Sequence, residues 1–258
     1  MLEPRVLRAG FSPIKGTRHL SLGEVRLDEY GPTGDRRLCL VDVGQRRVLR
    51  TVQHPSLVAV LAEEDNGELR VTLPDGRSAV ATPEPTPHQL VCDYWGRPTD
   101  LTLLDGPHAA LLSEYLGRAV TLAAVPPRGV VYGAGVTLVA RSSLEDLADR
   151  VGQDAGSIDP ARFRATVVLD TGRPAYAEDG WAGQELRLGT AVVRVGGPIP
   201  RCAVIDIDPA TGAHGSRLLR TLATYRPRNR SGEPVFGTYA EVVQPGTIHT
   251  TSTGPGAS

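Results

Sequence analysis

Leu69-Arg70-Val71-Thr72-Leu73-Pro74-Asp75-Gly76-Arg77 decides the fold class of this chain. A short apolar run ends in a proline and a glycine, residues that pre-set turn dihedrals, and this predicts a β-hairpin. Outward from that stretch the same pattern recurs. Leu38–Asp42, Val167–Asp170 and residues 57–62, 120–125, 192–195 and 235–243 are short, mostly β-branched segments bounded by turn residues. With 29 glycines and 21 prolines among 258 residues, they predict a mainly β protein with a few helices, mostly antiparallel, a sandwich or barrel.

Three helices are predicted. Residues 109–118 carry apolar side chains at helical spacing. Ser142-Ser143-Leu144-Glu145 fits a capping box, followed by Leu147, Ala148 and Val151. Residues 216–225 hold Leu218, Leu219 and Leu222. Residues 82–88, with three prolines, are predicted as a loop, and 250–258, small and polar, as a disordered tail. The chain divides into an N-terminal β domain over 1–105 and a second domain over 106–249, which holds the helices.

The net charge of −1 gives no global electrostatic case for nucleic acid or membrane. Of 28 basic side chains only Lys15 is a lysine, a compact ammonium among planar guanidiniums. Cys39, Cys92 and Cys202 form no CxxC pair and no cluster with histidine, which argues against structural zinc. An odd cysteine count and the absence of a leader-like apolar segment predict a soluble cytoplasmic protein.

Chemistry concentrates around Gly196-Gly197-Pro198-Ile199-Pro200-Arg201-Cys202, read as a glycine- and proline-built turn running into an apolar strand from Ala203 to Ile207. It sets a thiol beside a guanidinium, a setting for a nucleophile or a soft metal ligand. Phe11-Ser12-Pro13-Ile14-Lys15-Gly16 and Gly31-Pro32-Thr33-Gly34-Asp35-Arg36-Arg37 are turns whose amides and cations suit an anion such as phosphate. Alternatively, Asp35 simply pairs with a neighbouring arginine. In Asp159-Pro160-Ala161-Arg162-Phe163-Arg164 the two arginines share a side if the segment is extended, with Phe163 turned inward. His54 reads as a structural turn residue, and His214 is a candidate base close to Cys202 in sequence. No GxSxG elbow, GxxxxGK[ST] loop, HExxH or GxGxxG pattern occurs.

In this order the motifs resemble the two-part MOSC proteins, named for the molybdenum-cofactor sulfurase C-terminal domain and related to amidoxime-reducing enzymes. The resemblance rests on Pro13-Ile14-Lys15, Gly34-Asp35-Arg36-Arg37, Val52-Gln53-His54-Pro55, Asp159 to Arg164, Glu178-Asp179-Gly180-Trp181, Pro200-Arg201-Cys202, Asp208-Pro209-Ala210-Thr211-Gly212 and Val235-Phe236-Gly237. It implies a β-barrel-rich MOSC fold with an N-terminal β-barrel domain, holding a molybdenum cofactor (molybdopterin). Cys202 then matches the molybdenum ligand of the reductases, or the sulfur carrier of sulfurase-like members. Lys15, Arg36 and Arg164 match positions near the pterin and its phosphate, and Arg201 flanks the thiol. Two positions depart from the pattern. Gly16 stands where serine is common, and Thr166 where an asparagine helps hold the pterin.

The implied activity is molybdenum-dependent reduction of N-oxygenated compounds. It would involve no pyridoxal phosphate and would draw electrons from a separate ferredoxin- or cytochrome-type donor protein, since no four-cysteine cluster pattern is present. The alternatives are persulfide transfer through Cys202, or capture of a small anionic ligand by a repurposed member.

Overall fold

The computed structural model describes residues 2–251. The strand Leu38–Asp42 shows how the N-terminal half is organised, because its side chains are buried on both faces. Leu38 and Leu40 join one apolar cluster, and Cys39 and Val41 join another. A strand covered on both sides needs a continuous apolar run, which Leu-Cys-Leu-Val supplies. It is one stave of a closed five-stranded barrel with Arg47–Val48, Glu84–Tyr94, Arg97–Asp105 and Thr121–Ala124. Cys39, Cys92, Tyr94 and Leu101 fill the barrel, whereas Leu38, Leu40, Leu57, Leu69 and Leu112 pack outside it. That outer layer comprises a three-stranded sheet, Leu61–Asp65, Glu68–Thr72 and Ser78–Ala81, and helix α1, Pro107–Leu116.

The predicted hairpin is the last pair of that sheet. Gly76 takes φ +87°, and Leu73 and Arg77 close the turn with a 2.8 Å hydrogen bond. Helix α1 starts two residues before the expected 109, with a proline in its first turn, and stops at Leu116, short of the expected 118, because Gly117 takes the left-handed region.

The second unit is a six-stranded half-barrel in the order Arg5–Ala9, Val167–Asp170, Val136–Ala140, Val235–Gln244, Ala191–Pro200, Glu185–Leu188. Only Val136–Ala140 and Val167–Asp170 run parallel. One face packs Leu138, Leu169, Trp181 and Val193 against Val25 and Leu27 of a small sheet of Glu24–Asp28, Gly31–Pro32 and Gly246–His249. The other carries α2, Arg141–Arg150, and α3, Leu218–Tyr225, over Phe163, Val168 and Phe236. The first strand of the chain thus belongs to this unit, and Thr121–Ala124 closes the barrel.

Several local expectations are corrected. Residues 82–88 are not a loop, since they enter the long strand Glu84–Tyr94. That strand pairs with Arg97–Asp105 along its length but meets Arg47 only at Asp93. Its first half is therefore an edge, where the missing proline N–H costs nothing. Residues 196–200 are not a turn, because they continue Ala191–Pro200 through register shifts between Val195 and Pro200. Glycines and prolines there mark bulges.

The run after Cys202 is a 3-10 helix, Ala203–Asp206, instead of a strand. Asp206 turns it by accepting from Ser216 Oγ and from the amide of Leu219 at the start of α3. The capping box at Ser142 is absent. Helix α2 begins two residues earlier, with Ala140 at its N-cap and no side-chain cap, and Ser143 Oγ donates instead to buried Glu178, 2.7 Å away. Thr250 and Thr251 are held to Gly23 and Val6 by backbone bonds, and the rest of the expected disordered tail lies outside the described residues.

Two stability outcomes follow. Leu138→Ala, fully buried at the centre of the half-barrel, should cost about 2–5 kcal/mol in urea unfolding while the fold persists. Burial raises the pKa of Glu178, whose Oε2 finds no partner. A raised folded-state pKa makes this contribution greatest at low pH and removes it as pH rises through the folded value. Glu178→Gln should flatten that part of the stability–pH curve.

Candidate functional site

The segment between the first and second strands laces the two units together. Lys15 N donates to Leu38 O at 2.8 Å, and Arg36 N donates to Ser12 O at 2.8 Å. This places Lys15 and Arg36 on one wall of a cavity of about 280 Å³. The facing wall comes from the 3-10 helix Pro160–Phe163 and from the end of Ala191–Pro200. Lys15, Arg36, Arg164, Arg201 and Cys202 all line this cavity, so the structure brings five of the six expected site residues together. Thr166 stands behind the wall. It is buried, and its hydroxyl and amide are taken by Thr137, which lines the cavity itself. His214 is exposed, pairs with Ile207 in an isolated bridge and does not line the cavity. His54 precedes the 3-10 helix Pro55–Ala59 and touches Arg118, in keeping with a structural turn residue.

Charge is the dominant property of this site. Lys15, Arg36, Arg50, Arg162, Arg164 and Arg201 are opposed within the lining by one carboxylate, Glu233. Three of the cations have acidic partners. Arg36 pairs with Asp35, Arg50 with Asp93 at 3.1 Å and Arg162 with Asp208 at 3.2 Å. Among the described residues the other three form no ion pair. Lys15 faces the Tyr94 ring, with Nζ 5.2 Å from its centroid. Arg164 donates to Thr17 O at 2.9 Å and Ser12 Oγ at 2.7 Å. Arg201 donates to Phe236 O and Phe163 O, and its Nη2 is buried without a protein partner.

Burial, with Arg164, Arg36 and Arg50 nearby, lowers the Lys15 pKa to about 8. Burial lowers Arg164 and Arg201 to about 10, which leaves both cationic at neutral pH.

Local geometry explains several sequence features. Arg164 does not lie in an extended segment alongside Arg162. It caps the 3-10 helix in the left-handed region, which aims it at Ser12 while Phe163 turns inward to stack on Phe236 at 4.6 Å. Gly16 has φ +93°, and a Cβ there would meet Thr51 Oγ1 at 3.2 Å. Thr51, which lines the same cavity, thus places a hydroxyl beside position 16. Cys202 is exposed at the cavity edge, whereas Cys39 and Cys92 are buried core residues.

Sequence reading missed Arg50, Tyr94, Trp95, Tyr132, Glu233 and Tyr239. The available signal was Tyr94-Trp95-Gly96-Arg97. A two-residue turn there puts Trp95 at φ +54°, where an L-residue costs about 1–2 kcal/mol.

The donor set defines what the site can hold. Among the described residues no three His, Cys, Asp or Glu side chains form a metal-binding group. A metal at Cys202 would therefore bring most of its ligands with it, as an ion chelated by an anionic organic cofactor does. The unneutralised cations and the orphaned Arg201 Nη2 fit such an anion.

The family model described as "MOSC N-terminal beta barrel domain" matches residues 5–119, and that described as "MOSC domain" matches 130–252. A molybdenum cofactor sulfurase of Drosophila mojavensis is 28% identical over 261 residues, 92% of this chain and 32% of that protein. One from Anopheles gambiae is 35% identical over 114 residues, 41% of this chain and 14% of that protein. The chain thus spans about a third or less of the length of these relatives. The crystal structure of the YUAD protein from Bacillus subtilis aligns over 96% of this chain and 91% of that chain, with a TM-score of 0.43 and 10% identity. With both of its parts matched in order, the chain belongs to the MOSC family, an N-terminal β-barrel domain joined to a MOSC domain.

Proposed function

We propose that this chain binds the molybdenum cofactor in the Cys202 cavity and acts as an oxidoreductase on N-oxygenated compounds. The observation that carries the reading is the set of cations without a direct ion-pair partner, Lys15, Arg164 and Arg201, around an exposed thiol. Lys15, Arg36 and Arg164 would hold the pterin phosphate, with the Thr51 hydroxyl beside them, and Cys202 Sγ would ligate molybdenum. When bound, the cofactor supplies two-electron oxygen-atom chemistry at the metal. The protein's own residues bind and orient. The arginines fix the phosphate through paired N–H groups. Arg201, pinned by two carbonyls, sets the position of the adjacent Cys202 backbone. Electrons arrive from a separate donor protein.

A second reading is supported by the sulfurase relatives and the exposure of Cys202. In it the Cys202 thiolate attacks the outer sulfur of a donor persulfide. The new S–S bond forms as the donor S–S bond breaks, and the donor leaves as its thiolate.

Cys202→Ala separates these readings from a structural role. The substitution should abolish reduction of an N-hydroxylated amidine while leaving the melting temperature within about 2 °C, because an exposed side chain contributes little to stability. Activity retained in this variant would refute the assignment. A labile 32 Da adduct on Cys202 in a molybdenum-free chain would instead favour persulfide transfer.

Phosphate binding should also follow the Lys15 titration. The ammonium is the binding form, so affinity for the pterin phosphate should fall as pH rises through about 8. In Lys15→Arg that inflection should vanish, as read by equilibrium binding of the isolated pterin.

A further inference from the structure

Two exposed aromatic rings border the same cavity, and the phosphate and thiol roles leave both unused. Trp95 is 47% exposed and Tyr132 is 59% exposed, and each lines the cavity that holds Cys202. They come from different parts of the chain. Trp95 sits at the tip of the hairpin between Glu84–Tyr94 and Arg97–Asp105, and Tyr132 sits in the segment between Thr121–Ala124 and Val136–Ala140.

Three contacts bring them together and hold them still. Arg97 Nη2 donates to Val131 O at 2.8 Å, so the residue two after Trp95 is tied to the residue before Tyr132. Thr99 Oγ1 adds a second tie, to Gly129 O at 3.3 Å. On the far side, Gly133 packs so closely on Tyr239 that a Cβ there would lie 2.5 Å from the ring, so only glycine lets the Tyr132 segment settle at this distance.

Trp95 is itself braced. The Arg50 guanidinium stacks 4.1 Å from its ring centroid and is anchored in turn by Asp93. One face of the indole is therefore covered by a cation while about half the side chain meets solvent. A tryptophan in a left-handed turn position that asparagine, aspartate or glycine would fill without strain points to a use outside the fold.

We propose that Trp95 and Tyr132 form a stacking subsite for planar, conjugated substrates at the mouth of the Cys202 cavity. The inference rests on the oxidoreductase reading and supplies its substrate class. A flat aromatic ring presents its face to these side chains while its nitrogen function points inward towards Cys202. A saturated ring of the same charge has no flat face and loses that contact. Arg97 is a positioning residue, because it sets the spacing of the pair and reaches the site only through Val131 and Tyr94.

The test uses the purified full chain, with no electron donor added, and two neutral amidoximes, since a cationic amidinium would be repelled by the cavity's own cations. Benzamidoxime carries a planar ring, and cyclohexanecarboxamidoxime carries a puckered one. Benzamidoxime should quench the exposed Trp95 emission, with Trp181, 4% exposed in the core, as the unchanged internal reference. It should bind about fivefold more tightly than its saturated counterpart, the size expected of one aromatic contact. By calorimetry, Trp95→Leu and separately Tyr132→Leu should each bring that ratio close to one, and Arg97→Ala should reduce it with both rings present. Equal affinities in the unaltered chain, or a preference that survives both leucine variants, would overturn the proposal. Molybdenum content of the same samples keeps the two readings apart. Ring preference in a metal-free chain leaves the subsite standing and removes the cofactor reading, whereas a metal-loaded chain without ring preference does the reverse.

Discussion

Positive charge without acidic partners is the constraint on which the rest of this structure depends. Lys15, Arg164 and Arg201 are drawn into a cavity where they meet carbonyls, a hydroxyl and a ring face, with Arg201 Nη2 left unpartnered. Burial and like charge oppose this arrangement, as the lowered pKa values of Lys15 and Arg164 register. A site that only had to be stable would place carboxylates there, as it does for Arg36, Arg50 and Arg162. On the proposed reading the centre receives an anion from outside, whose binding would offset the repulsion and stabilise the folded chain by mass action.

The two units make that arrangement possible. Neither unit holds the cluster alone. Lys15 and Arg36 are fixed by the segment that laces the half-barrel to the closed barrel, and Arg50 and Trp95 follow strands of the barrel. Arg164, Arg201 and Cys202 follow strands and 3-10 turns of the half-barrel. Two of the cations are presented by left-handed residues, Arg36 at φ +48° and Arg164 at φ +50°. Such residues cost backbone energy that the surrounding ladders must offset. The rigid parts are the ladders, and the chemistry sits where they end.

Much of the strand content was legible because it is local. Leu38–Asp42, Val167–Asp170 and the Pro74-Asp75-Gly76 turn follow from side-chain burial and dihedral preference over a few residues. The run after Cys202 was misread because its apolar side chains suit a strand, and a remote pair of contacts from Asp206 to Ser216 and Leu219 bends it into a 3-10 turn. Residues 82–88 were misread because three prolines forbid a central strand but tolerate an edge, and only tertiary pairing shows which applies. The site followed the same division. Lys15, Arg36, Arg201 and Cys202 stand out by residue type and neighbours, whereas Arg50, Tyr132 and Glu233 reach the cavity through tertiary contacts with no local signature.

Whether the cationic cavity holds a metal-bearing anion is decided most directly by elemental and pterin analysis. The chain would be purified from a host that makes the molybdenum cofactor. One molybdenum and one releasable pterin per chain are expected, both lost when Lys15, Arg36 and Arg164 are neutralised together in a variant that still folds. Molybdenum and pterin absent from the unaltered chain, or retained by the neutralised one, would contradict it.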